Sequence, residues 1–310
     1  MTENSIHPII PVALNPGDNI AIIAPGSPFD EIKFSKGISV LEEMGFRTSF
    51  SKELYQTNGY LAGTDLHRAD MLNAAFSDDS VKAVWCARGG YGALRILQYI
   101  DFDMISTHPK MFIGFSDASA ILNSLYFRCG LVTFHGPMIE SLGCADEATR
   151  KGLAHIISDR ILTIFPEKKI LIHSGKAKGI VSGGNLTTIC HLLGTQFQPT
   201  FSDHIILFED TGEAPYRIDR MLSQMKMAHC FEGIAGIILG SFEKCGETDL
   251  IYDVFNDVFN DMDIPILAGF NIGHGYPNIT IPIGIEAHLD SDAGVLAYQH
   301  QHLNHQISSV

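Results

Sequence analysis

The sequence predicts an α/β protein: an open parallel-sheet domain first, then a smaller β-rich mixed α/β domain. Three observations predict it. Short continuous apolar runs recur at 20–24, 81–87 and 111–113, as strands buried on both faces require. Segments of helical period separate these runs. After about Asp159 helices become rarer and short strands follow one another. The first domain therefore reads as flavodoxin-like or Rossmann-like over residues 1–160, with a linker or crossover at 161–178 and the second domain at 179–310.

The first strand, 20–24, closes on the turn Pro25-Gly26-Ser27-Pro28. A helix carrying Ile32, Phe34, Ile38 and Leu41 on its apolar positions follows and stops near Gly45. Residues 47–50 make a weak second strand, and a helix at 65–76 packs Leu66, Ala69, Leu72 and Phe76. The third strand runs into Arg88-Gly89-Gly90-Tyr91-Gly92. The fourth ends at Gly114, a helix starts at Ala118 with Ile121, Leu122, Leu125 and Tyr126 on one face, and 131–134 is the fifth strand. Further on, 161–165, 170–172 and 178–181 are short strands. Helices at 186–193, 216–227 and 250–259 alternate with strands at 205–208, 234–239, 266–270, 279–281, 285–288 and 295–298.

Composition narrows the function classes. A net charge of -14 over 310 residues, with no basic stripe, argues against nucleic acid or an anionic membrane surface as partner. No apolar run approaches the ~20 residues of a membrane span, and residues 1–11 lack the basic and apolar parts of a signal peptide. The six cysteines form no Cys-x-x-Cys pair, which predicts free thiols in a reducing cytoplasm. The polar tail 299–305 holds three histidines but reads as a frayed end before a metal site.

Four loops at strand ends carry candidate chemistry. Ser116 follows the fourth strand and precedes a helix, where its hydroxyl meets the backbone N–H groups and positive dipole end of that helix. The stretch Gly114-Phe115-Ser116-Asp117-Ala118 resembles a nucleophile elbow with alanine for the last glycine, although Ser116 or Asp117 also suits a plain N-cap. The Arg88 loop fits neither nucleotide-binding glycine pattern; its glycines suit an oxyanion hole or a tight turn equally. Gly183-Gly184-Asn185 reads as close helix–sheet packing with Asn185 as N-cap. Glu209 ends the apolar run 206–208 and needs a buried partner, while Glu213 stands further out as a helix-entry acid. His274, between two glycines, is a turn residue or an exposed base. Together Ser116, Glu209 and His274 supply a nucleophile, an orienting acid and a general base. No metal-ligand spacing competes with them.

These marks, with Tyr60-Leu61-Ala62-Gly63-Thr64-Asp65, His135-Gly136-Pro137-Met138 and Pro215-Tyr216-Arg217-Ile218-Asp219-Arg220, resemble the LD-carboxypeptidase family of serine peptidases. That family includes murein tetrapeptide carboxypeptidases and microcin C immunity proteins. The resemblance runs through nearly the whole chain. It implies Ser116 as nucleophile, His274 as base and Glu209 as its partner, with Glu213 the competing acid. It implies an oxyanion hole from the Asp117 N–H and a glycine of the Arg88 loop, Gly90 ahead of Gly89. It implies no cofactor or metal, a small peptide substrate and compatibility with a homodimer. The expected reaction is release of the terminal D-alanine of murein tetrapeptides in cytoplasmic wall recycling. The alternatives are a microcin-type substrate, which the absence of a tryptophan-bearing loop disfavours, and a non-catalytic two-lobe binding protein closing by a hinge.

Overall fold

A computed structural model describes residues 7–158 and 163–299. The first part of the 161–165 strand and the tail beyond residue 299 fall outside the described residues. The strands are β1 (Asn19–Ile23), β2 (Arg47–Ser49), β3 (Val81–Cys86), β4 (Met111–Gly114), β5 (Thr133–His135), β6 (Thr163–Ile164) and β7 (Ile170–His173). They continue with β8 (Lys176–Asn185), β9 (His204–Thr211), β10 (Gly236–Glu243), β11 (Ile266–Ala268), β12 (Ile281–Ile283), β13 (Glu286–Asp290) and β14 (Val295–Tyr298).

Two α/β domains result. The first sheet has the order β12-β5-β4-β3-β1-β2. Its β2-β1-β3-β4-β5 part is all parallel, in the flavodoxin-like order. The second sheet, β6-β14-β13-β8-β9-β10-β11-β7, keeps a parallel centre at β8 to β11 and antiparallel flanks. The stretch 161–178, expected as a linker, supplies β6, β7 and the start of β8 to this sheet.

The two sheets do not have separate cores. Ile22, Trp85 and Ile113 of the first sheet share one contiguous apolar cluster with Val181, Ile205 and Leu267 of the second. One strand also crosses over: β12, expected with the later strands, pairs antiparallel to β5, Ile281 opposite His135. An apolar triplet such as Ile-Pro-Ile can bury itself on either sheet, so its sequence carries no address.

The helix Ser119–Cys129 lies between the sheets, and its residues from Ser119 to Tyr126 are all buried. A helix enclosed on every side must satisfy its polar side chains against protein. Asn123 does so with β8: its Nδ2 donates to the Gly183 carbonyl at 2.8 Å and its Oδ1 accepts from the Gly183 N–H at 3.0 Å. Ser119 Oγ accepts from the Asn185 N–H at 3.1 Å. Gly184 (φ +131°) sits where a Cβ would be 2.6 Å from Ser119 Oγ, so only glycine allows this approach. Asn185 caps the following helix, its Oδ1 accepting from the Thr188 N–H at 3.0 Å.

The Asn123 bridge gives a stability prediction. Asn123→Ala leaves a buried N–H and a buried C=O of Gly183 without these partners, at about 1–3 kcal/mol each. Urea unfolding should show a lower midpoint, equivalent to a loss of about 2–6 kcal/mol. A midpoint equal to that of the wild type would mean that this bridge does not hold the sheets together.

Candidate active site

The strand–helix junction after β4 is sharply turned. Ser116 has φ +61°, a left-handed conformation costly for a residue with a side chain and frequent where function requires it. The turn brings position 114 close to position 118: a Cβ on Gly114 would stand 2.9 Å from the Ala118 Cβ and 3.0 Å from Cys86 Sγ. With Gly114 bare, the smallest side chain is tolerated at 118, which accounts for alanine in the last elbow position.

The loop after β3 closes on the same spot. A Cβ on Gly89 would lie 3.0 Å from the Ser116 Cβ and 3.1 Å from its Oγ. Gly90 (φ +86°) turns instead against Ser27, whose Oγ accepts from the Tyr91 N–H at 3.1 Å. Among the described residues neither the Gly89 nor the Gly90 N–H has a hydrogen-bond acceptor. The Asp117 side chain is buried; its Oδ2 accepts from the Ala93 N–H at 2.8 Å and so ties this loop to the serine turn. Burial pushes the Asp117 carboxyl up to about 6, against the opposing pull of the Ala93 hydrogen bond and the Arg68 charge.

From the second domain, β9 delivers Glu209 with no exposed surface. The loop before β12 delivers His274, flanked by glycines held from outside. The Gly273 N–H donates to Asn278 Oδ1 at 3.0 Å, and the Gly275 N–H donates to Ser241 Oγ at 2.9 Å. At Gly273 (φ +107°) a Cβ would overlap the Glu209 carboxylate, so the histidine reaches the acid only past a glycine.

The three residues meet. His274 Nδ1 lies 2.7 Å from Glu209 Oε2, and Ser116 Oγ lies 3.1 Å from His274 Nε2. With Glu209 ionised, Nδ1 carries the proton and donates it to the carboxylate, leaving Nε2 to accept from the serine hydroxyl. The Phe115 ring packs on the His274 ring with centroids 4.9 Å apart and covers one side of it.

Burial works against charge on both partners. For Glu209 it pushes the pKa up, yet the facing imidazoles of His274 and His135 outweigh it and hold the carboxyl well below its ordinary range. For His274 it pushes the pKa down, but Glu209, with Asp210 and Glu243 beyond it, leaves the net shift upward. Glu213 is not part of this arrangement; it pairs with Arg217 at 3.4 Å.

Asp210, next to Glu209, points away from the histidine. Its carboxylate accepts from Asn185 Nδ2 at 3.0 Å and from the Thr187 N–H and hydroxyl at 2.9 and 2.7 Å. Sequence reasoning assigned no role to Phe115, Ser241, Asn278 or His135. Phe115 and His135 lay in stretches that stood out beforehand, Gly114-Phe115-Ser116-Asp117-Ala118 and His135-Gly136-Pro137-Met138, but for other reasons. Among the described residues no group of three or more His, Cys, Asp or Glu is placed to hold a metal ion, and no helix is long and apolar enough to cross a membrane.

Comparison with known proteins locates this geometry. Residues 20–136 match the LD-carboxypeptidase N-terminal domain and residues 178–289 match the LD-carboxypeptidase C-terminal domain. A probable murein peptide carboxypeptidase of Bacillus subtilis is 39% identical over 291 residues, covering 91% of each chain. The crystal structure of an MccF-like protein from Bacillus anthracis superposes with a TM-score of 0.89 at 27% identity, over 95% of this chain and 100% of that one. A structure of MccF in complex with glutamyl sulfamoyl guanosine gives a TM-score of 0.89 at 26% identity, over 96% and 100%.

The raised His274 pKa fixes a pH dependence that needs no knowledge of the substrate. Ser116 is activated only while His274 is neutral, so its labelling by a fluorophosphonate should fall on the acid side. The midpoint should lie above that of an ordinary histidine. Glu209→Gln should slow labelling at least about tenfold, because an amide stabilises the imidazolium far less. Glu213→Gln should leave it unchanged. A Glu213 effect larger than the Glu209 effect would show that the acid is wrongly assigned.

Proposed function

Because the chain belongs to the LD-carboxypeptidase family, we propose that it is a serine hydrolase that cleaves an amide bond of a small peptide-like substrate through Ser116, His274 and Glu209. The unbroken hydrogen-bonded chain from Ser116 Oγ through His274 to Glu209 carries this reading. Ser116 Oγ attacks the scissile carbonyl while His274 Nε2 takes its proton. The carbonyl oxygen gathers negative charge between the Asp117 N–H and the free N–H of Gly89 or Gly90. Collapse of this intermediate breaks the C–N bond, and His274 returns the proton to the departing nitrogen. Water, activated by the same imidazole, then releases the acyl group from Ser116.

Two substrates divide the family. Several solved structures similar to this chain favour the microcin type: they are of MccF, in complex with glutamyl sulfamoyl guanosine in one case and with aspartyl sulfamoyl adenosine in another. Release of terminal D-alanine from a murein tetrapeptide is the second reading, favoured by the Bacillus subtilis relative. One structural observation supports this second reading. The sole tryptophan, Trp85, is fully buried in β3 with Nε1 donating to the Pro137 carbonyl at 2.8 Å, so it is withdrawn from stacking on a nucleobase. On this reading the enzyme works in the cytoplasm.

Kinetics on both substrates test the proposal. Release of D-alanine from a murein tetrapeptide at the higher kcat/KM would select the carboxypeptidase. Faster hydrolysis of glutamyl sulfamoyl guanosine would select the microcin type, and hydrolysis of neither would overturn the reading. Ser116→Ala should abolish nearly all turnover on the preferred substrate, leaving a rate ~10³-fold above water from the remaining machinery.

Configuration gives a further prediction for the tetrapeptide. Exchanging terminal D-alanine for L-alanine moves a methyl group to where a hydrogen was, a clash of about 1–3 kcal/mol in a closed pocket. The L-terminated peptide should be cleaved at least about tenfold less efficiently. Equal kcat/KM for the two diastereomers would remove the case for an LD-specific pocket.

A further inference from the structure

His135 ends β5 with no exposed surface, and among the described residues neither of its ring nitrogens has a hydrogen-bond partner. Glu209 Oε1, equally buried, also lacks one. The two face each other: His135 Nε2 stands 3.8 Å from Oε1, on the side of the carboxylate opposite His274. Buried polar atoms without partners are rare in folded proteins, and here a possible donor and an acceptor form a complementary pair. An approach of about 0.8 Å brings them to hydrogen-bond distance.

The surroundings limit what else could serve. The ring is packed edgewise on Phe115 (centroids 5.9 Å apart), and a Cβ on Gly184 of β8 would be 3.2 Å from its Cδ2. The titratable groups acting on Glu209 besides His135 are His274 from its loop and Asp210 from β9, while Glu243 of β10 acts on His274. His274 already occupies Oε2, and the Asp210 carboxylate is taken by Asn185, Thr187 and the Thr211 N–H. Glu209 Oε1 is therefore the acceptor that His135 meets.

We propose that His135 is a positioning residue that donates its Nε2–H to Glu209 Oε1, so that one buried carboxylate is gripped by an imidazole from each domain. The inference rests on the Ser116–His274–Glu209 reading above. Its consequence is electrostatic as well as geometric. Part of the Glu209 charge is committed to His135, which limits how strongly the acid raises the basicity of His274.

The test uses the full chain labelled with ¹⁵N-histidine. In the wild type, the His135 spectrum should show the proton on Nε2; a proton on Nδ1 overturns the proposal without any variant being made. His135→Phe fills the ring's space without a donor, and His135→Gln restores one. In His135→Phe, His274 should titrate at higher pH, and fluorophosphonate labelling of Ser116 at its pH plateau should slow about tenfold, as loss of one hydrogen bond to a charged group implies. His135→Gln should return the His274 midpoint towards the wild-type value. An unmoved midpoint in His135→Phe, or a His135→Gln variant indistinguishable from it, would leave His135 a packing residue. None of these readouts needs a substrate. Failure of both substrate readings leaves them intact, whereas failure of wild-type Ser116 to label would strike the triad itself.

Discussion

An ionised carboxylate with no exposed surface is the constraint on which this structure depends. Removing Glu209 from water costs several kcal/mol unless partners replace the lost hydration. The partners come from far apart in the chain: His274 from a loop beyond β11, and His135 from the end of a strand in the other sheet. Satisfying one charge thus requires both domains to be in place. The neighbouring Asp210 points to the other side of β9, as successive residues of a strand do, and is satisfied within its own domain by Asn185 and Thr187. Two consecutive acids therefore do different work, one across the seam and one beneath it.

The serine is held by equally rigid parts. Its turn is closed by Gly114 on one side and Gly89 on the other. The helix that follows is clamped to β8 through Asn123 and Ser119. Ser116 thus stands at the end of an element already fixed to the second sheet, and His274 meets it from a loop pinned on both sides, at Gly273 by Asn278 and at Gly275 by Ser241. Placing a nucleophile on a packed scaffold keeps its hydroxyl within reach of the base.

Much of this was legible in the chain. The runs 20–24 and 111–113 are apolar throughout and 81–87 is broken only by Lys82, so strand identity followed directly, and the order of strands and helices gave the open parallel sheet. Ser116 and His274 stood out by their glycine contexts and Glu209 by its position at the end of a buried run, but singly the first two read as well as a helix cap and a turn residue; only the three together, with the family resemblance, pointed to a triad. The short-range signals failed where the answer lies in distant pairing. A strand was expected at 279–281 with the second domain; the observed one lies at 281–283 in the first sheet, because only the pairing with β5 distinguishes the two destinations. His135 stood in a recognised stretch without a role, since nothing local to it indicates that its ring faces Glu209. The upward shift of His274 likewise arises from Glu209, Asp210 and Glu243, which are remote from it in sequence.

The strand lent by the late chain to the first sheet also bears on how the protein is made. Until residues 281–283 emerge from the ribosome, β5 is an outermost strand with a bare edge next to the apolar Phe134. Such edges recruit other strands, and nascent chains crowded on one message offer them in plenty. The half synthesised first therefore cannot complete its sheet until residues 281–283 of the second half have been translated. A gene cut after the helix Glu147–Ile157 would yield a fragment held permanently in that exposed state.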